Sequence, residues 1–85
     1  MTIEARDIWG AIDEVAERRG VSIRTLASES GLHFTTLYNR KEGDHFKWPS
    51  SKSISAICET AGISFVEFAA IVEHQASVTS LRTAA

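Results

Sequence analysis

The stretch from Val21 to Lys41, VSIRTLASESGLHFTTLYNRK, decides how this chain folds. It reads as two short helices with a glycine-bearing turn between them. Ser22 is placed to cap the first helix, whose inward residues are Ile23, Leu26 and Ala27. Gly31 breaks the pattern. A second short helix follows, roughly His33 to Arg40, with Leu37 pointing inward. A helix-turn-helix has three requirements that this spacing meets. Its helices cross closely, so the crossing residue is small, which suits Ala27. The chain reverses within about three residues, often at positive φ, which suits Gly31. The second helix hides one side and leaves the other free, which suits Leu37 among His33, Thr35, Thr36, Tyr38, Asn39 and Arg40. The alternative for this segment is an ordinary helical hairpin that fits the same template.

The rest of the chain is consistent with a small helical domain. Eighty-five residues make one domain with room for four or five helices and a modest core. Ile8, Ile12, Val15 and Ala16 recur at helical spacing and predict a first helix over Ile3 to Arg19, stopped at Gly20. Trp9 lies near the edge of that stripe and is expected to cover the core. Pro49-Ser50-Ser51 opens another helix, with Ser50 or Ser51 as its cap, apolar positions Ile54, Ile57, Cys58 and Ala61, and a stop at Gly62. Ser64 and Glu67 form a capping box for a last helix. Its expected stripe is Phe65, Phe68, Ala69 and Val72. Val66, Ala70 and Ile71 are also apolar, and either complete the core or form a dimer surface.

Between the helix pair and the helix opened by Pro49-Ser50-Ser51 lies KEGDHFKWP, in which Gly43-Asp44 reads as a turn and Phe46 and Trp48 alternate with His45 and Lys47. Trp48 is expected to pack on the core. From residue 74 to 85 no periodicity stands out, and the stretch reads as a linker or tail leading to a missing C-terminal domain. The domain proper is then residues 1–73.

Charge is unevenly spread. The total is −2, yet residues 33–52 carry Arg40, Lys41, Lys47 and Lys52 against Glu42 and Asp44, with His33 and His45 besides. Positive charge concentrated in and after the second helix of the pair suits docking of one face on phosphates. Cys58 is the only cysteine, which excludes an internal disulfide, and its apolar neighbours mark it as a core thiol. The N-terminal residues include Glu4, Arg6 and Asp7 and lack the apolar segment of a secretory leader. No run has the length of a membrane span, so the expectation is a cytoplasmic protein. His33, His45, His74 and Cys58 have no metal-ligand spacing, and the serines stand at helix starts. No enzyme activity, metal or cofactor is therefore expected.

From Ile8 to Val72, about three quarters of the chain, the sequence resembles the DNA-binding domain of the lambda-repressor/Cro class. More narrowly it is similar to the N-terminal domains of phage-repressor-like regulators that carry a LexA-like peptidase domain. The residues that carry this are IWGAIDEVAERRGVS, LASESGL, Thr35-Thr36, Trp48-Pro49-Ser50 and AGISFVEF. His33-Phe34 departs from the capping Asp followed by Pro of that class, and Arg40 takes a place that is often apolar. The resemblance implies an all-α, compact five-helix bundle with the helix-turn-helix as its second and third helices. It also implies sequence-specific binding of double-stranded DNA as a bacterial or phage-type regulator, a repressor by default. On that basis Phe34, Thr35, Thr36, Tyr38 and Asn39 are expected at base edges in the major groove. Arg24, His33, Arg40, Lys41, Lys47, Ser50, Ser51 and Lys52 are expected on phosphates. Such regulators usually bind inverted repeats as homodimers, and the spare apolar residues Val66, Ala70 and Ile71 are the candidate dimer surface here unless they complete the core. The competing reading is a helical protein-interaction module that uses its apolar final helix and binds no DNA.

Overall fold

Local signals start and stop each helix in the computed structural model, which describes residues 2–84 and the side chains as far as Val78. The first helix, α1, runs Ala5–Arg19. It begins later than Ile3 because Asp7 turns back on its start: the Glu4 N–H donates to Asp7 Oδ2 at 2.8 Å. That bond gives the buried Asp7 carboxylate a partner at the positive end of the helix dipole. Gly20 ends α1 at φ 69°, with its N–H and that of Val21 returned to the last turn.

The helix pair is α2, Ile23–Glu29, and α3, Phe34–Tyr38. Ser22 caps α2 by accepting from the Thr25 N–H at 3.1 Å. Gly31 reverses the chain at φ 72°, and a Cβ there would meet open space. The turn therefore asks for glycine through its backbone angle, not through crowding. The Leu32 N–H closes the turn on the Ala27 carbonyl at 2.9 Å. Ala27, Leu26 and Leu37 are fully buried where the two helices meet.

After α3 comes a feature that the helical reading did not include. Lys41–Glu42 (β1) and His45–Phe46 (β2) pair antiparallel around Gly43-Asp44. Then follow α4, Ser51–Ala61, capped by the Ser50 hydroxyl on the Ser53 N–H, and α5, Phe65–Ala84. The expected capping box of α5 is present: Ser64 Oγ accepts from the Glu67 N–H, and Glu67 Oε1 from the Ser64 N–H. The molecule is thus mostly helical, 68% by residue, with five helices among the described residues around one core.

The expected boundary at residue 73 needs correction. Helix α5 continues through residues 74–84 rather than loosening into a linker. Phe68, Val72 and Ala76 repeat at four-residue spacing and are all buried, with Ile71 beside them. α5 packs most extensively on α1. Where the two helices meet, a Cβ on Gly10 would stand 2.9 Å from Gln75 Oε1, the end of a flexible side chain. Side chains of the expected tail beyond Val78 lie outside the described residues.

No single described helix is long and apolar enough to cross a membrane. Cys58 is buried as expected, and burial pushes its thiol pKa above the ordinary value.

Candidate nucleic-acid interface

Helix α3 is too short to persist on its own side-chain packing, since Leu37 is its one buried residue. It is fixed at its two ends. At the start His33 acts as the cap: its Nδ1 lies 2.8 Å from Thr35 Oγ1 and accepts from the Thr35 N–H at 3.4 Å. At the end Arg40 donates through Nε to the Leu37 carbonyl at 2.7 Å. The same guanidinium grips Asp13 of α1 with two bonds, 3.0 and 2.7 Å, and lies 5.0 Å over the Trp9 ring. Trp9 is 2% exposed, and its indole N–H donates to the Lys47 carbonyl at 2.8 Å. Asp13, Arg40, Trp9 and Lys47 thereby tie α3, α1 and the segment after the hairpin together.

Arg40, expected on a phosphate, spends three of its five N–H groups within the fold and so acts first as a tie between α3 and α1. Its bidentate pair with Asp13 and its seat on Trp9 explain why a cation stands where an apolar residue was expected.

Of the expected reading residues, Phe34, Thr35, Thr36 and Tyr38 belong to α3, which is shorter than the expected His33 to Arg40, and Asn39 stands one position past its end. Phe34, Thr35, Tyr38 and Asn39 are exposed, and Thr36 is half-buried. Thr35, Thr36 and Asn39 line one wall of a cleft of about 390 Å³, with Lys47 and Ser50 from the expected phosphate set on the other wall. Trp9 forms part of its lining. Ser51 and Lys52 are exposed in the first turn of α4, and Lys41 is exposed on β1 with its ammonium 4.9 Å over the Phe46 ring. Arg24 of α2 reaches across to Phe34, its guanidinium carbon 4.8 Å from the ring centre. The His33 ring stacks with the same Phe34 ring, centroids 4.8 Å apart. The residues from α2, α3 and the start of α4 are thus brought to one side. Glu42 and Asp44, exposed at the hairpin, add negative charge beside them.

Of the two tryptophans expected on the core, Trp9 lies there and Trp48 does not. Trp48 is 60% exposed and lines the cleft mouth instead of the core, while Trp9 is buried. Both facts have one cause. Trp9 fills the space under the loop, where its N–H also finds the Lys47 carbonyl, so Trp48 is left outside. A signal for Trp9 was present in its spacing to Ile12 and Ala16, which places it on the inward stripe.

The expected dimer surface also divides. Ile71 is 7% exposed and belongs to the core, which removes it from any outer surface. Val66 is 78% exposed, and Ala70 is exposed too. Phe65, expected in the buried stripe, is 63% exposed. It borders an apolar hollow of about 220 Å³ with Ile3, Ile54 and Phe68. Among the described residues no group of His, Cys, Asp and Glu could hold a metal ion.

No family model matches this chain, and neither does any curated protein or solved structure.

Proposed function

We propose that this chain binds double-stranded DNA sequence-specifically, as the helix-turn-helix domain of a lambda-repressor-like transcriptional regulator, acting as a repressor. The observation that carries the reading is the division of α3. Leu37 alone is buried, while Phe34, Thr35, Tyr38 and Asn39 stand exposed beside Lys47 and the open first turn of α4. A helix buried on one residue and held at both ends is suited to enter the major groove with its outer side. Asn39 has the donor and acceptor for a bidentate pair with adenine, and the Thr35 and Thr36 methyls suit thymine. Lys41, Lys47 and Lys52, the His33 ring and the hydroxyls of Ser50 and Ser51 serve the phosphates.

The test is selection of bound duplexes from a random pool at near-physiological salt. An inverted repeat is the expected product, with half-site centres about 34 Å apart, and it implies a homodimer on DNA. Asn39→Ala should relax preference at one or two base pairs. Lys47→Ala should weaken all sequences alike and lower the salt slope by about 1. The exposed Phe65 and Val66 beside their apolar hollow support a second reading, a protein-interaction module. Absence of any duplex binding, even at low salt, would transfer the function to that surface.

A further inference from the structure

Arg24 differs from every other arginine whose side chain is described. Arg6, Arg18, Arg19 and Arg40 each lie against a carboxylate, at 2.8, 2.9, 3.1 and 2.7 Å. Arg24 has neither a carboxylate nor a hydrogen-bond partner among the described residues. Its guanidinium is held over the Phe34 ring at 4.8 Å. Phe34 opens α3 and is 40% exposed. Its ring is itself placed by the stacked His33 at 4.8 Å and by Tyr38, which meets it edge-on at 6.3 Å. An exposed cation–π contact is weak, but it orients a planar fork whose donors remain free.

Two complementary chemistries therefore stand side by side at the entrance of α3. A free guanidinium fork matches O6 and N7 of guanine, and an exposed aromatic edge matches the 5-methyl group of thymine. Bases along one strand are about 3.4 Å apart, so a separation of 4.8 Å spans neighbouring base pairs. We propose that Arg24 and Phe34 form one reading unit for a step in which a 5-methylpyrimidine adjoins guanine. Arg24 pairs with the guanine, and Phe34 seats the methyl group. This rests on the DNA-binding reading and moves Arg24 from the phosphates to the base edges. Phe34 senses the methyl and makes no hydrogen bond, so thymine and 5-methylcytosine satisfy it alike.

The experiment uses the 85-residue chain and the duplex recovered by selection. Each thymine is replaced in turn by uracil, which removes only the methyl, and each guanine by 7-deazaguanine, which removes only N7. Cytosine and 5-methylcytosine are compared at the sensitive thymine. One uracil should weaken binding about fourfold, the worth of one methyl group withdrawn from water. At that position 5-methylcytosine should exceed cytosine by the same factor. 7-Deazaguanine at the adjoining position should cost about tenfold. Phe34→Ala should erase the methyl effect, and Arg24→Ala should erase the 7-deazaguanine effect. Both side chains are exposed, so circular dichroism should find both variants folded. A uniform loss on all duplexes for Arg24→Ala, with the salt slope lowered by about 1, would make it a phosphate contact and overturn the proposal. So would indifference to every methyl. Failure to bind any duplex at low salt overturns the DNA-binding reading itself, and this unit with it.

Discussion

The five-residue α3 and the twenty-residue α5 are held in place by different physics. α5 is held by a face: Phe68, Ile71, Val72 and Ala76 are buried on one side of it. α3 is held by its ends, through the His33 cap and the Arg40 clamp, with Leu37 as its one buried anchor. A helix held by a face must spend that face on the core. A helix held by its ends leaves nearly all its side chains outward. The difference explains how a domain this small sets aside a surface for recognition while retaining one core.

Substitutions at the two helices test the contrast, and the largest effect is expected in α5. Phe68→Ala removes a side chain that is 2% exposed and should destabilise the fold by about 3–5 kcal/mol in urea denaturation. A loss under 1 kcal/mol would mean that α5 is not held by its buried stripe. Arg40→Met should come next, at about 1–2 kcal/mol, from an ion pair, a cation–π contact and a helix-end hydrogen bond lost together. Because Arg40 positions α3 and touches no phosphate in this reading, the salt slope of DNA binding should not move. A slope lowered by about 1 would return Arg40 to the phosphates.

Ser22→Ala tests the helix that supports α3 from below. Loss of the Ser22 cap should cost about 1 kcal/mol by thermal melting, and a silent change would show the cap to be dispensable. The smallest effect is expected at the free side of α5. Val66→Ser, at a residue 78% exposed, should change stability by less than about 0.5 kcal/mol. Sedimentation sharpens that last result. If Val66→Ser alters the mass of the free chain or of its DNA complex, Val66 lies in an interface between copies.

What was readable in the sequence shares one property: it depends on neighbours within about four residues. Ser22, Ser50 and the Ser64–Glu67 pair are caps because side chain and backbone N–H are three positions apart. Gly20, Gly31 and Gly62 end helices because their φ values are positive. Leu26, Ala27 and Leu37 are inward because helical periodicity aligns them. The outward side of α3, and so most of the candidate interface, follows from the same periodicity.

Only the tertiary structure decided the rest. Arg40 is paired with Asp13, 27 residues away in the chain. Trp9 rather than Trp48 took the space under the loop, because its partner carbonyl at Lys47 lies 38 residues on. Ile71 went in and Phe65 stayed out because α1, lying across α5, chose which of several apolar positions it would cover. The same contact carries α5 beyond residue 73, where Ala76 is buried. Residue type and spacing determine what each segment can do alone. Which of two equally apolar or equally charged residues is buried, paired or left free is settled by the distant surface that reaches it first.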